Sequence, residues 1–220
     1  MLGDTEDTIN FSNVNNEEMS FYRMLSKESG KFTKYYLTEE GEILKNFVTK
    51  QTEVKNMNFV VVGAGPLLHL PLGYENSKRY IAIDPITDLF VKNSQQNFIS
   101  KNKKIKIFKK YFEELEPNEI SSENSLYVFT FNVISYIKNW KNALNKIIKR
   151  GDIVFVSYWN NNLKNKTLIN EYYDFIYGKE LILLQKNMID TCDIDYKKIK
   201  YFKHAKKFHG KFVKAITIYT

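Results

Sequence analysis

This chain predicts an α/β fold: a doubly wound, mostly parallel seven-stranded sheet with helices on both faces and a helical cap at the N-terminus. Short apolar runs bounded by polar segments alternate with stretches of helical periodicity. The first strong run, Met57–Gly63 (MNFVVVG), is apolar apart from Asn58, as a strand buried on both faces should be. A loop with two glycines, Gly63-Ala64-Gly65, follows it at once, where open α/β sheets bind their ligands.

Residues 1–16 are polar and acidic, without periodicity. From Glu17 to Lys27 the apolar residues Met19, Phe21, Tyr22 and Leu25 fall near helical spacing, and Gly30 would close that helix. A second helix is expected from Thr38 through Ile43, Leu44, Phe47 and Val48, with Glu39 and Glu40 in its first turn. Residues 1–52 thus form the cap or lid, part of the same domain, and residues 53–220 the ligand-binding sheet.

Further strands are expected at Arg79–Asp84 (RYIAID), Lys104–Lys109 (KIKIFK), Ser125–Phe131 (SLYVFTF) and Asp152–Trp159 (DIVFVSYW). Glu180–Leu184 and Phe212–Tyr219 complete the seven. Helices are expected at Ile86–Lys101, Ile137–Lys149 and Leu163–Tyr177, the last ended by Gly178. Pro66 and Pro71 make the helix after the glycine loop short or irregular.

Composition narrows the function classes. A hydrophobic content of 43% and an aromatic content of 15% exclude wholesale disorder. Cys192 stands alone and cannot close an internal disulfide, which favours a reducing, cytoplasmic setting. No apolar run approaches the roughly 18 residues that span a bilayer, so no membrane role is expected. Met1 to Glu18 carries five acidic residues and no Lys or Arg, unlike a signal peptide. The net charge of +8 invites an anionic partner, but only Arg23, Arg79 and Arg150 of the 33 basic residues are arginine, the bidentate reader of phosphates and bases. A solvated lysine surface is the preferred reading. No zinc-ligand spacing joins His69, His204, His209 and Cys192, and no metal is expected.

Two features carry chemistry. Gly63 and Gly65 let the chain turn tightly and bring backbone close to a ligand. Asp84 ends the next strand 21 residues after Gly63, where an acidic residue can accept hydrogen bonds from both ribose hydroxyls. A third glycine is missing, residue 68 being Leu, which weakens a NAD-dependent dehydrogenase reading, and no G-K-[ST] follows to make a P-loop.

From Met57 to Trp159 the order of these elements resembles the class I S-adenosylmethionine-dependent methyltransferase superfamily, which is Rossmann-like. The matching features are the glycine loop, the acidic strand end, the polar segment after the third strand and Asn132-Val133-Ile134-Ser135-Tyr136 after the fourth. The resemblance implies S-adenosylmethionine as cofactor, with Gly63, Ala64 and Gly65 against its methionine part and Asp84 on the ribose. It places Pro85 or Ile86, with Tyr111 and Phe112, at the adenine, and Asn132 on the floor near the methionine end. Tyr136, with Tyr158 or Trp159, would face the acceptor. Tyr35 and Tyr36, between the two N-terminal helices, would close over it, and His69 is the candidate general base. The chain departs from the family at Val61, where an acidic residue is usual, and at Pro66-Leu67-Leu68. That G-x-G-P-L loop also looks like that of nicotianamine-synthase-like enzymes, which transfer an aminocarboxypropyl group.

A methyltransferase acting on a small-molecule acceptor is the favoured function. An RNA-modifying methyltransferase is the alternative, from the eight lysines and interleaved aromatics of Tyr196–Lys214; the aminocarboxypropyl transferase and a non-catalytic relative stand behind it.

Overall fold

A computed structural model describes residues 30–85, 93–120, 122–137, 139–177 and 195–220. Helix α1 (Gly30–Lys50) leads into strand β1 (Asn58–Val62), α2 (Leu70–Asn76), β2 (Arg79–Ile83), α3 (Asn93–Lys101) and β3 (Ile105–Phe108). Then follow α4 (Pro117–Ile120), β4 (Ser125–Phe129), α5 (Trp140–Ile147), β5 (Ile153–Trp159), α6 (Leu163–Tyr177), β6 (His204–His209) and β7 (Val213–Tyr219). The strands form one sheet in the order β3-β2-β1-β4-β5-β7-β6. The first five are parallel, and β7 runs antiparallel between β5 and β6.

Alternation along the strands sorts the core into two layers. Phe59 and Val61 of β1, Tyr80 and Ala82 of β2, Leu126 and Val128 of β4, and Phe155 and Trp159 of β5 face one side. That side is covered by α1, α2 and α6 through residues such as Leu44, Leu70 and Ile169. Val60, Val62, Ile81, Ile83, Phe129 and Val156 face the other, under Leu144 and Ile147 of α5 and the Phe112–Ile120 segment. Every residue of β1 and β4 is buried, as expected of central strands covered twice.

The strand expectations hold within a residue or two for six of the seven. The exception is β6. Its sequence, HAKKFH, was read as part of a lysine-rich tail, whereas Glu180–Leu184 lies outside the described residues. A sheet-edge strand can carry exposed lysines, which block pairing with another chain and hide the apolar alternation.

The N-terminal expectation also changes. Gly30 is itself helical, and α1 runs unbroken through Tyr35 and Tyr36 to Lys50, so no helix begins at Thr38. Phe32, Tyr36, Leu44 and Val48 form a stripe at helical spacing that is buried against the sheet and needs no cap at Thr38. The helix expected at Glu17–Lys27 lies outside the described residues, as does Gly178. No helix among the described residues is long and apolar enough to cross a membrane.

Candidate functional site

Sheet register aligns the site before any side chain is considered. Val62 pairs with Ile83 and with Phe129, and Phe129 pairs with Val156. The next residues, Gly63, Asp84, Thr130 and Ser157, therefore lie level along the carboxyl edge.

At the end of β1, Gly63 (φ +69°) and Gly65 (φ +43°) turn the chain in the left-handed region that favours glycine. The space a Cβ on Gly63 would need is taken by the Val133 side chain, from the turn after β4. The Gly63 N–H donates to the Ile83 carbonyl oxygen at 2.9 Å. The Gly65 N–H donates to Asp84 Oδ2, also at 2.9 Å. Asp84 is buried and ties the glycine loop to the end of β2. Ala64 is buried beside it, Pro85 is exposed, and Ile86 lies outside the described residues.

The turn after β4 is the centre of the site. Thr130 Oγ1 shares a hydrogen bond with His69 Nε2 at 3.1 Å. Phe131 and Asn132 both adopt left-handed backbone, at φ 51° and 59°, which is costly for residues other than glycine. Asn132 is buried, its side-chain oxygen accepts from Ser135 Oγ at 2.9 Å, and its Nδ2 has no hydrogen-bond partner among the described residues. A buried donor left unpaired is costly unless a ligand completes it.

Sequence reasoning missed two residues here. Glu40, on α1, is 1% exposed, and its Oε1 accepts the Phe131 N–H at 2.6 Å and the Ser157 hydroxyl. Burial pushes its carboxyl up to about 7, against hydrogen bonds from Ser157, Phe131 and Tyr36 that favour the charge. Its neighbour Glu39 accepts the N–H groups of Lys211, Phe212 and Val213 at 2.7–2.8 Å and so caps the β6–β7 turn. The signal was present: Glu40 interrupts the apolar stripe Tyr36–Glu40–Leu44, where a solvent-exposed carboxylate does not belong.

His69 precedes α2 and is half-buried, and burial lowers its pKa to about 4, so its ring is neutral at pH 7. Tyr111 is exposed and caps the turn that begins at Phe112. Phe112 is core, edge-on to Phe129 at 5.2 Å. Tyr136, 43% exposed, lies one turn beyond Asn132.

Two groupings expected from sequence do not form. Tyr158 and Trp159 do not converge, because adjacent strand residues point to opposite faces: Tyr158 packs with the α5 layer and Trp159 with the α1 layer. Tyr35 and Tyr36 are not a hinge between helices. Tyr35 stacks on Phe212 at 5.2 Å, while Tyr36 is fully buried, edge-on to Trp159 at 4.3 Å. Phe32, Phe131 and Tyr172 close around the same tryptophan.

No protein family and no curated protein matches the chain. Solved structures do. The N-methyltransferase NodS from Bradyrhizobium japonicum WM9, in complex with S-adenosyl-L-homocysteine, matches with a TM-score of 0.52 at 7% identity, over 93% of this chain and 97% of that one. The CurJ carbon methyltransferase matches with 0.53 at 14% identity, over 92% of this chain and 58% of that one. The CMeT domain of the citrinin polyketide synthase matches with 0.54 at 13% identity, over 86% and 53%. The chain thus spans little more than half the length of the last two. At these identities the likeness is one of fold: the chain shares the Rossmann-like sheet-and-helix arrangement of these methyltransferases.

Proposed function

We propose that this chain is an S-adenosylmethionine-dependent methyltransferase acting on a small-molecule acceptor. The observation that carries the reading is the carboxyl edge itself. Asp84 is locked to the Gly65 N–H, and the Nδ2 donor of the buried Asn132 has no partner among the described residues, on the side of the sheet where α/β folds bind ligands. These groups fit the cofactor's polar ends. Asp84 would accept from ribose hydroxyls, the Gly63–Gly65 backbone would lie along the methionine part, and Asn132 Nδ2 would donate to that part's acceptors. Tyr111 would flank the adenine.

When bound, the cofactor supplies an activated methyl group, so the protein's task is chiefly position and orientation. Exposed Leu68, Tyr111 and Tyr136, on the loops after β1, β3 and β4, rim this edge and suit an apolar or flat acceptor. His69 is the base available to an acceptor that must lose a proton, and its depressed pKa keeps it unprotonated at neutral pH. The aminocarboxypropyl alternative keeps the same cofactor and the same residues.

Isothermal calorimetry with S-adenosylmethionine and S-adenosylhomocysteine tests the proposal. Micromolar or tighter binding, about −8 kcal/mol, is expected. Binding of NAD with none of either would sink it. The RNA reading has its own observation: Lys200 and Arg150 flank the exposed Tyr201 ring at 4.8 and 6.0 Å, and Lys206 and Lys207 lie over Tyr219 and Tyr196. Submicromolar binding of a structured RNA at physiological salt would promote it, because weak lysine contacts are lost steeply as salt rises.

A further inference from the structure

We propose that Glu40 is a positioning residue: from α1 it holds the turn after β4 in the shape the cofactor site requires. This rests on reading the carboxyl edge as an S-adenosylmethionine site.

Residues 130–133 reach both the loop after β1 and helix α1. Thr130 meets His69, Phe131 meets Glu40, Asn132 meets Ser135, and Val133 fills the space beside Gly63. The turn is made from two consecutive left-handed residues that are not glycine, a conformation that persists only where surrounding contacts impose it. The Phe131 N–H, pointing away from the strand ladder, needs an acceptor, and Glu40 Oε1 is that acceptor. The same oxygen takes the Ser157 hydroxyl, so one atom ties the end of β4 to β5. Asn132, the next residue, carries the buried donor without a partner among the described residues.

A leucine at position 40 would continue the apolar stripe of α1 and avoid burying a carboxylate. It would leave the Phe131 N–H without its acceptor. The helix itself is anchored elsewhere: Glu39 takes three N–H groups of the β6–β7 turn, Tyr35 stacks on Phe212, and Tyr36 packs on Trp159. Loss of the Glu40 carboxylate therefore leaves α1 seated and releases the turn.

The experiment compares wild type, Glu40→Leu and Glu40→Gln in the full chain. It reads S-adenosylhomocysteine affinity by calorimetry and amide exchange at Phe131 and Val213 by NMR. Glu40→Leu is expected to weaken binding about tenfold or more and to speed exchange at Phe131, while Val213, held by Glu39, stays protected. Glu40→Gln keeps a carbonyl acceptor and should restore binding to within about threefold. Unchanged affinity in Glu40→Leu, or a Gln variant as weak as the Leu variant, would overturn the proposal. If wild type binds neither S-adenosylhomocysteine nor S-adenosylmethionine, the cofactor reading fails, and Phe131 exchange alone decides whether Glu40 holds the turn. Faster exchange in the Leu variant than in the Gln variant supports that role; equal exchange overturns it. Should Glu40→Leu not fold, Glu40→Asp, one methylene short of its partners, takes its place with the same readings.

Discussion

The backbone N–H of Gly65 donates to Asp84 Oδ2 at 2.9 Å, joining the loop after β1 to the end of β2. Asp84 therefore braces the glycine loop, and the proposed contact with the ribose would be its second task.

The two tasks separate by substitution. Asp84→Asn keeps a side-chain oxygen for the Gly65 N–H and loses the charge; Asp84→Ala loses both. Losing a charge-assisted hydrogen bond to a ribose costs roughly 1.5–3 kcal/mol, about 10- to 100-fold in Kd. Calorimetry with S-adenosylhomocysteine should show most of that loss already in Asp84→Asn. Asp84→Ala should add a lower melting temperature from the released loop. An unchanged Kd in both variants would leave Asp84 as a brace alone.

A second prediction separates backbone from packing at Gly63. Its φ of +69° makes any side chain there unfavourable by about 1–2 kcal/mol, and the Val133 side chain occupies the space a Cβ would enter. The obstacle to a larger residue is thus first the protein itself, before any ligand. Gly63→Ala should lower stability by more than the backbone term, and Val133→Ala in the same chain should recover part of the loss. A double-mutant cycle by denaturant unfolding measures this directly. A coupling near zero would mean that the two residues are not in contact.

Most of the fold was legible because central parallel strands announce themselves: Phe59–Val62 and Leu126–Phe129 are apolar without interruption. The closeness of Gly65 to Asp84 was legible too, since a glycine loop and the next strand end are neighbours in any such sheet. Glu40 was not, because its partners Phe131 and Ser157 lie 91 and 117 residues away. No local pattern links them. The part of α1 before Thr38 escaped for a related reason: Phe32 and Tyr36 are buried against the sheet, a tertiary contact that no capping residue announces. In β6 exposed lysines mask the strand, and only pairing with β7 makes it one.

Glu40 and His69, whose pKa values burial shifts in opposite directions, act against each other with pH. The Glu40 carboxyl is raised from 4.5 to about 7, so the folded chain holds its proton more tightly than the unfolded chain does. Its contribution is present below pH 4.5 and is lost as pH rises toward 7, on the order of 3 kcal/mol. His69 is lowered from 6.5 to about 4, so its contribution is present above pH 6.5 and is lost as pH falls toward 4, by a similar amount. Between pH 4.5 and 6.5 the two slopes oppose and largely cancel. Unfolding free energy, measured by denaturant across pH 4–8, should therefore show opposite differences from wild type. Glu40→Gln should make stability rise more steeply with pH, and His69→Gln should make it fall. Two variants with the same slope as wild type would mean that neither group is perturbed by burial.

The last prediction concerns the aromatics, where geometry divides residues that sequence had grouped. Trp159 is 2% exposed and ringed by Tyr36, Phe131 and Tyr172 at 4.3–5.7 Å, packed as protein interiors are. Tyr136 is 43% exposed on the turn that carries Asn132. The Trp159 ring is spent on holding α1 and α6 to the end of β5, whereas the proposed function would put Tyr136 beside the acceptor. Trp159→Ala should cost about 3–5 kcal/mol of stability, as large-to-small core changes do, and should disturb the Phe131 turn as a consequence. Tyr136→Phe should change stability by no more than about 0.5 kcal/mol, because a surface change away from a cap or a core contact seldom does more. Thermal and denaturant unfolding read the first effect. The second needs turnover with an acceptor, measured alongside cofactor affinity. If Tyr136 orients the acceptor, turnover falls while the Kd for S-adenosylhomocysteine stays within a few-fold. If Tyr136→Phe leaves turnover untouched and Trp159→Ala, still folded, abolishes it without changing cofactor affinity, the assignment is reversed: the aromatic cluster must then open to admit the acceptor, and Tyr136 is only surface.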